Sequence, residues 1–245
     1  MNVNFTPITP LVFIVVALLI ASSCRTGQGN SNINSIPAPR TTPAPPELEL
    51  SGVYKVSGAD EMNGNPYEGI LTVTNQEDAY RFIWETNRSR HSGVGVQMGD
   101  AVAVTYADSA GGKGCGVALY KIGSDGSLDG KIAKWGEFRF GAEKAIHVEG
   151  KNFDGKYSVA GTTNEGKKYE GTIEVQKNGK GYQFKWHTET ESVGFGIWRG
   201  DHAAISFGGT KCSFALYKVV SRRSLEGQWG SQRVVAFGTE TAKRQ

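Results

Sequence analysis

Four glutamates stand in matched settings along this chain. Glu143 occurs in Gly141-Ala-Glu143 and Glu240 in Gly238-Thr-Glu240, while Glu68 and Glu170 both occur in Tyr-Glu-Gly. Two carboxylates flanking one bond can act as acid and base, as glycosidases require. Here each glutamate is separated from its nearest matched carboxylate by most of a repeat. That spacing favours structural hydrogen bonds or an exposed strand face over a catalytic pair. Asp100 and Asp201 follow glycines and read as turn residues. His91, His147, His187 and His202 do not correspond between the halves, and no pair has the spacing of zinc ligands. No Gly-x-Ser-x-Gly elbow and no phosphate-cradling loop occurs. The sequence names no catalytic residue, no metal ligand and no cofactor, and it reads as a non-enzyme.

The glutamates belong to a longer repeat. Gly52-Val-Tyr54, Gly58, Tyr67-Glu-Gly69, Tyr80-Arg-Phe82-Ile-Trp84, Cys115, Leu119-Tyr120-Lys121 and Leu128-Asp-Gly130 form the first copy. Gly155-Lys-Tyr157, Gly161, Tyr169-Glu-Gly171, Tyr182-Gln-Phe184-Lys-Trp186, Cys212, Leu216-Tyr217-Lys218 and Leu225-Glu-Gly227 form the second. Partners lie about 100 residues apart, which marks two duplicated domains and not a solenoid of short units. Residues kept in both copies serve the common fold, so the recurring tyrosines and tryptophans read first as core and strand-pair packing. An aromatic ligand floor inside a small barrel is the functional alternative.

Residues that differ between copies are where function can diverge. Asn87-Arg88-Ser-Arg90-His91 is basic where Thr188-Glu-Thr-Glu-Ser192 is acidic, and one of these loops could steer a charged partner. Gln97-Met98 becomes Trp198-Arg199, and Ile132 becomes Trp229. With Arg199 and Arg233 these tryptophans form a candidate contact patch, because Trp and Arg are favoured interface anchors. Arg88 and Arg90 complete the candidate binding residues.

The strands that must carry these side chains are legible from residue 50 onward. Short runs rich in aromatic and β-branched residues alternate in polarity, as in Tyr182-Gln-Phe184-Lys-Trp186. Asn63-Gly64, Asp125-Gly126 and Asn178-Gly179 supply tight turns between them. No helical period is sustained. The fold expected is all-β: two tandem antiparallel meander domains, at 49–148 and 149–245, each a small barrel or sandwich, related by a pseudo-two-fold axis. One larger continuous barrel is the alternative.

Ahead of these domains, the uncharged run Leu11–Ala21 is too short to span a bilayer as a helix and has the length of a signal-peptide core. Residues 1–23 read as a signal peptide and Leu19-Ile-Ala-Ser-Ser-Cys24 as a lipoprotein-type site, with Cys24 the residue to be lipidated. Residues 24–48 are polar, then Pro-rich, and read as a disordered tether. The address expected is the cell envelope, anchored in a membrane through Cys24, with periplasmic or secreted protein as the alternative. Export permits a disulfide between the equivalent Cys115 and Cys212; two buried thiols at the same core position are the other reading. With 27 basic against 24 acidic residues, the chain offers no electrostatic case for nucleic acid.

As a set, Gly-x-Tyr-x-Val-x-Gly, Tyr-x-Gly, an aromatic strand ending in Trp, Leu-Tyr-Lys and Asp-Gly-Ser-Leu-Asp-Gly resemble a group of small exported bacterial proteins, some labelled "fibronectin-binding protein". Residues 52–143 and 155–240 both match that unit, although Ser221-Arg-Arg-Ser224 departs from its turn. The resemblance implies a binding or adhesive role toward a macromolecule or small ligand at the envelope. A glycan-acting enzyme and a structural envelope component are the competing functions.

Overall fold

The structure is a computed structural model that describes residues 47–60, 63–108, 111–232 and 237–245. The signal segment, Cys24, nearly all of the tether and Arg233 lie outside the described residues.

Alternating polarity becomes strands whose odd and even residues face opposite sides. In β1 (Gly52–Ala59), Tyr54 and Val56 point inward and are buried while Val53 and Lys55 point out. The first repeat continues with β2 (Pro66–Gln76), β3 (Ala79–Thr86), β4 (Arg90–Met98), β5 (Ala101–Asp108), β6 (Gly116–Ile122), β7 (Leu128–Lys134) and β8 (Gly141–Lys151). The second supplies β9 (Asp154–Thr162), β10 (Lys168–Asn178), β11 (Gly181–His187) and β12 (Glu191–Arg199). It ends with β13 (His202–Phe207), β14 (Ser213–Ser221), β15 (Ser224–Ser231) and β16 (Gly238–Arg244).

These strands form two closed antiparallel barrels of eight, so the all-β, two-barrel expectation holds and a single larger barrel does not form. The closure is crossed between repeats. Barrel A joins β1–β5 to β14–β16, and barrel B joins β9–β13 to β6–β8. The seams are β5 with β14, pairing Ala103 with Leu216, and β13 with β6, pairing Ala204 with Leu119. Each repeat thus gives five strands to one barrel and three to the other. The limits 49–148 and 149–245 describe the repeats and not the barrels; residue 148 falls in the β8–β9 pair, inside barrel B.

The chain passes from barrel A to barrel B between β5 and β6 and returns between β13 and β14. Cys115 and Cys212 sit on these two crossings and form a disulfide, with Cα atoms 5.6 Å apart. Beside it the equivalent hydroxyls of Thr105 and Ser206 share a hydrogen bond of 2.6 Å. An apolar layer that includes Val94, Val96, Leu119, Phe195, Ile197 and Phe214 holds the barrels together. The outward faces of β4 and β12 are buried for this reason, which explains their nearly continuous apolar runs.

One end of each barrel is plugged by a residue just ahead of the strand that opens its five-strand set, β1 in barrel A and β9 in barrel B. The Tyr54 hydroxyl donates to the Leu50 carbonyl (2.6 Å) and the Tyr157 hydroxyl to the Phe153 carbonyl (2.9 Å). Leu50 and Phe153 thereby become core residues. The opposite ends are open.

Candidate functional site

At the open end of each barrel one carboxyl is buried among hydroxyl and indole donors. Glu240, only 5% exposed, accepts from the Tyr217 hydroxyl (2.6 Å) and Trp84 Nε1 (3.0 Å) at Oε1, and from the Tyr67 hydroxyl (2.7 Å) at Oε2. Glu143, 4% exposed, repeats the arrangement in barrel B. Tyr120 and Trp186 Nε1 (3.3 Å) donate to its Oε1 and Tyr169 (2.7 Å) donates to its Oε2. Each set draws on both repeats: Glu240 and Tyr217 come from the second copy, Tyr67 and Trp84 from the first.

Four glycines make room for the tyrosines. Tyr67 lies opposite Gly58 across β1–β2, Tyr169 opposite Gly161, Tyr120 opposite Gly130 and Tyr217 opposite Gly227. A Cβ on Gly130 would stand 2.6 Å from the Tyr120 ring, and at the other three positions closer still. The ring lies flat over the bare backbone, which carries its hydroxyl to the carboxyl. That is why these glycines and tyrosines recur together.

Burial pushes both carboxyls above the usual carboxylate range, against the opposing pull of the tyrosine and indole donors. The tyrosines in turn are driven well above their ordinary value, first by burial and then by the adjacent carboxylate. None of the ion pairs among the described residues involves Glu143 or Glu240.

Above each carboxyl lies a cavity. In barrel A it has about 120 Å³, with Trp84, Tyr106 and Trp229 among its walls and Asp60, Arg88 and His91 at its rim. In barrel B it has about 220 Å³, walled by Ile132, Tyr169, Trp186 and Phe207, with threonines, Asn164, Lys134 and Lys167 at the rim. The Trp229 ring stands edge-on to Tyr67, with centroids 6.2 Å apart. Where Trp229 narrows barrel A, the equivalent Ile132 leaves barrel B wider.

The residues singled out from sequence separate in space. Trp229 faces the cavity of barrel A. Trp198 belongs to the closed end of barrel B, packed on Phe153 and Tyr182 at 4.9 and 6.1 Å, and is 40% exposed. The two tryptophans point into different barrels and form no common patch. Arg199 lines a shallow groove with Asp100, His202 and Lys218. Arg88 pairs with Asp60 (3.5 Å) at the barrel A rim, whereas Arg90 pairs with Glu85 (3.2 Å) on the exposed surface. The basic and acidic loops occupy corresponding places, since residues 88, 89 and 91 line one cavity and 188–190 and 192 the other.

Glu143 and Glu240 sit in separate barrels, so they cannot flank one bond. Glu68 and Glu170 are exposed on outer strand faces. Among the described residues no three His, Cys, Asp or Glu side chains converge as a metal site. The glutamates and their donors all recur between copies, and that recurrence was the available signal. Their convergence was hidden because it depends on crossed strands.

No family model matches the chain, and no curated protein matches it. A solved structure of a DUF3598-family protein of unknown function from Nostoc punctiforme PCC 73102 aligns over 80% of this chain and 96% of its own, at 10% identity and a TM-score of 0.17. That level of similarity carries no inference about fold or function.

Proposed function

We propose that this is an exported envelope protein, anchored through a lipid on Cys24, whose barrels bind small ligands at their open ends without transforming them. The observation that carries the binding role is the repeated cavity with a buried carboxyl, held by three neutral donors, at its base and aromatic walls above. Eight-stranded barrels have room for core side chains or one small ligand, and here one end is packed while the other is hollow. A mostly apolar concavity with a few convergent polar groups is the usual form of a small-molecule site. The anchor and tether rest on the sequence of residues 1–48.

Adhesion to a macromolecule is the second reading. It is favoured by the exposed Trp198 and by the resemblance of the repeat to exported proteins carrying an adhesion label. Native mass spectrometry of protein purified from its own membranes tests the primary reading. A co-purifying small molecule that is depleted in the Ile132→Trp variant is the expected result, and the mature N-terminal peptide is expected to carry acyl chains on Cys24. A chain beginning at an unprocessed Met1 would overturn the envelope address.

A further inference from the structure

We infer that the barrel B cavity is a site for an organic ammonium ion, seated on Glu143. This rests on the reading of the open ends as small-ligand sites and adds the chemical class.

A carboxylate this deeply buried ordinarily has a cationic partner or a metal. Glu143 has neither a lysine nor an arginine paired with it among the described residues. Its partners are three neutral donors, two on Oε1 and one on Oε2. An ionised carboxylate has about four lone-pair positions, so Oε2 retains acceptor capacity. The missing component is a positive charge carrying N–H or acidic C–H groups. The walls supply the other half of such a site, because Tyr169, Trp186 and Phe207 present aromatic surface beside the carboxyl. Aromatic rings attract organic cations through their quadrupole, more strongly where water is excluded.

The rim leaves the way open to a cation. Lys167 is held by Glu189 at 2.5 Å, and the lining contains Glu137 as well as Lys134, so acidic residues match basic ones in number there. Barrel A is the less suitable twin because Trp229 narrows its cavity to about 120 Å³ against about 220 Å³; its rim Arg88, like Lys167, is paired with a carboxylate, Asp60. The narrower cavity above Glu240 has room only for a smaller ammonium group.

The experiment is calorimetric titration of the full chain with 2-phenylethylammonium and, in parallel, with its neutral counterpart 2-phenylethanol. The ammonium is expected to bind at least about tenfold more tightly, which corresponds to a single charge-assisted hydrogen bond. Glu143→Gln should abolish that preference. Ile132→Trp, which leaves the carboxyl in place and narrows the cavity as Trp229 does in barrel A, should weaken both ligands alike. Equal binding of alcohol and ammonium, insensitive to Glu143→Gln, would overturn the ammonium assignment while leaving a ligand-binding barrel. Absence of heat from both compounds at millimolar concentration would overturn the ammonium assignment, while a co-purifying molecule of another class would keep the cavity reading alive.

Discussion

Two glutamates out of a chain carrying 24 acidic residues hold the interior polar chemistry of the barrels. Each was recognisable in the sequence as a residue kept in both copies, and so were Tyr67, Tyr169, Trp84, Trp186, Tyr120 and Tyr217. The repeat marks the aromatics as core packing, whereas it leaves each glutamate between a structural hydrogen bond and an exposed strand face. It could not show that three donors converge on one carboxyl, because donors and acceptor lie on non-adjacent stretches of chain. Tyr67→Phe removes the single donor to Glu240 Oε2. A cost of about 1–3 kcal/mol in denaturant unfolding is expected from leaving a buried acceptor short of a partner. The pH response has a definite sign. Folding raises the pKa of both carboxyls, so the stability contributed by their protonated forms is full below the ordinary value of 4.5 and is lost as pH rises through the raised folded values. Glutamine mimics the protonated acid. Glu143→Gln and Glu240→Gln should therefore gain stability relative to the parent chain as pH is raised from 4 toward 8; a difference that does not change with pH would mean that the folded carboxyls are not perturbed.

At the scale of strands, the glycine-over-tyrosine pairs and the disulfide decide whether the elements keep their register. Gly58 faces Tyr67 and also lies against the backbone oxygen of Thr239 on the adjoining β16, 2.5 Å from where a Cβ would stand. Gly58→Ala thus cannot be relieved by moving the tyrosine alone. An overpacking cost of about 1–3 kcal/mol is expected, together with a changed Trp84 fluorescence as the hydroxyl leaves Glu240. At Gly64, whose added Cβ would meet nothing within 4 Å, the space is open, but its φ of 62° strains an alanine for a different reason. The bridge between Cys115 and Cys212 spans 97 residues of chain. Removing it by paired serine substitution should lower stability by about 2–5 kcal/mol, measured by thermal or denaturant unfolding. Its location at both crossings means that the loss should weaken the union of barrels A and B along with the strands nearest the bridge.

For the whole molecule, the crossed closure was the part least accessible from sequence, and the reason is the duplication itself. The segments β6–β8 and β14–β16 carry equivalent inward residues, Tyr120 with Tyr217, Leu128 with Leu225 and Glu143 with Glu240. Either segment can present the same wall to a given set of five strands. Hydrophobic pattern and turn chemistry are identical for closure within a repeat and closure across repeats, so they do not fix which strands share a barrel. What differs is the course of the two crossings, and the short turn segments ahead of Cys115 and Cys212 carry no pattern that records a direction. Exchange of equivalent elements between copies is the route by which domain-swapped dimers form, here completed within one chain. An isolated second repeat, residues 149–245, keeps β9–β13 and β14–β16 but lacks the β6–β8 that closes barrel B. Two such chains can restore both seams by donating β14–β16 to each other. Light scattering after size-exclusion chromatography is expected to find a dimer whose circular dichroism matches that of the full chain. A folded monomer would instead mean that β14–β16 turns back on its own repeat, and that the tandem arrangement, held at Thr105–Ser206 and the disulfide, is what imposes the crossing.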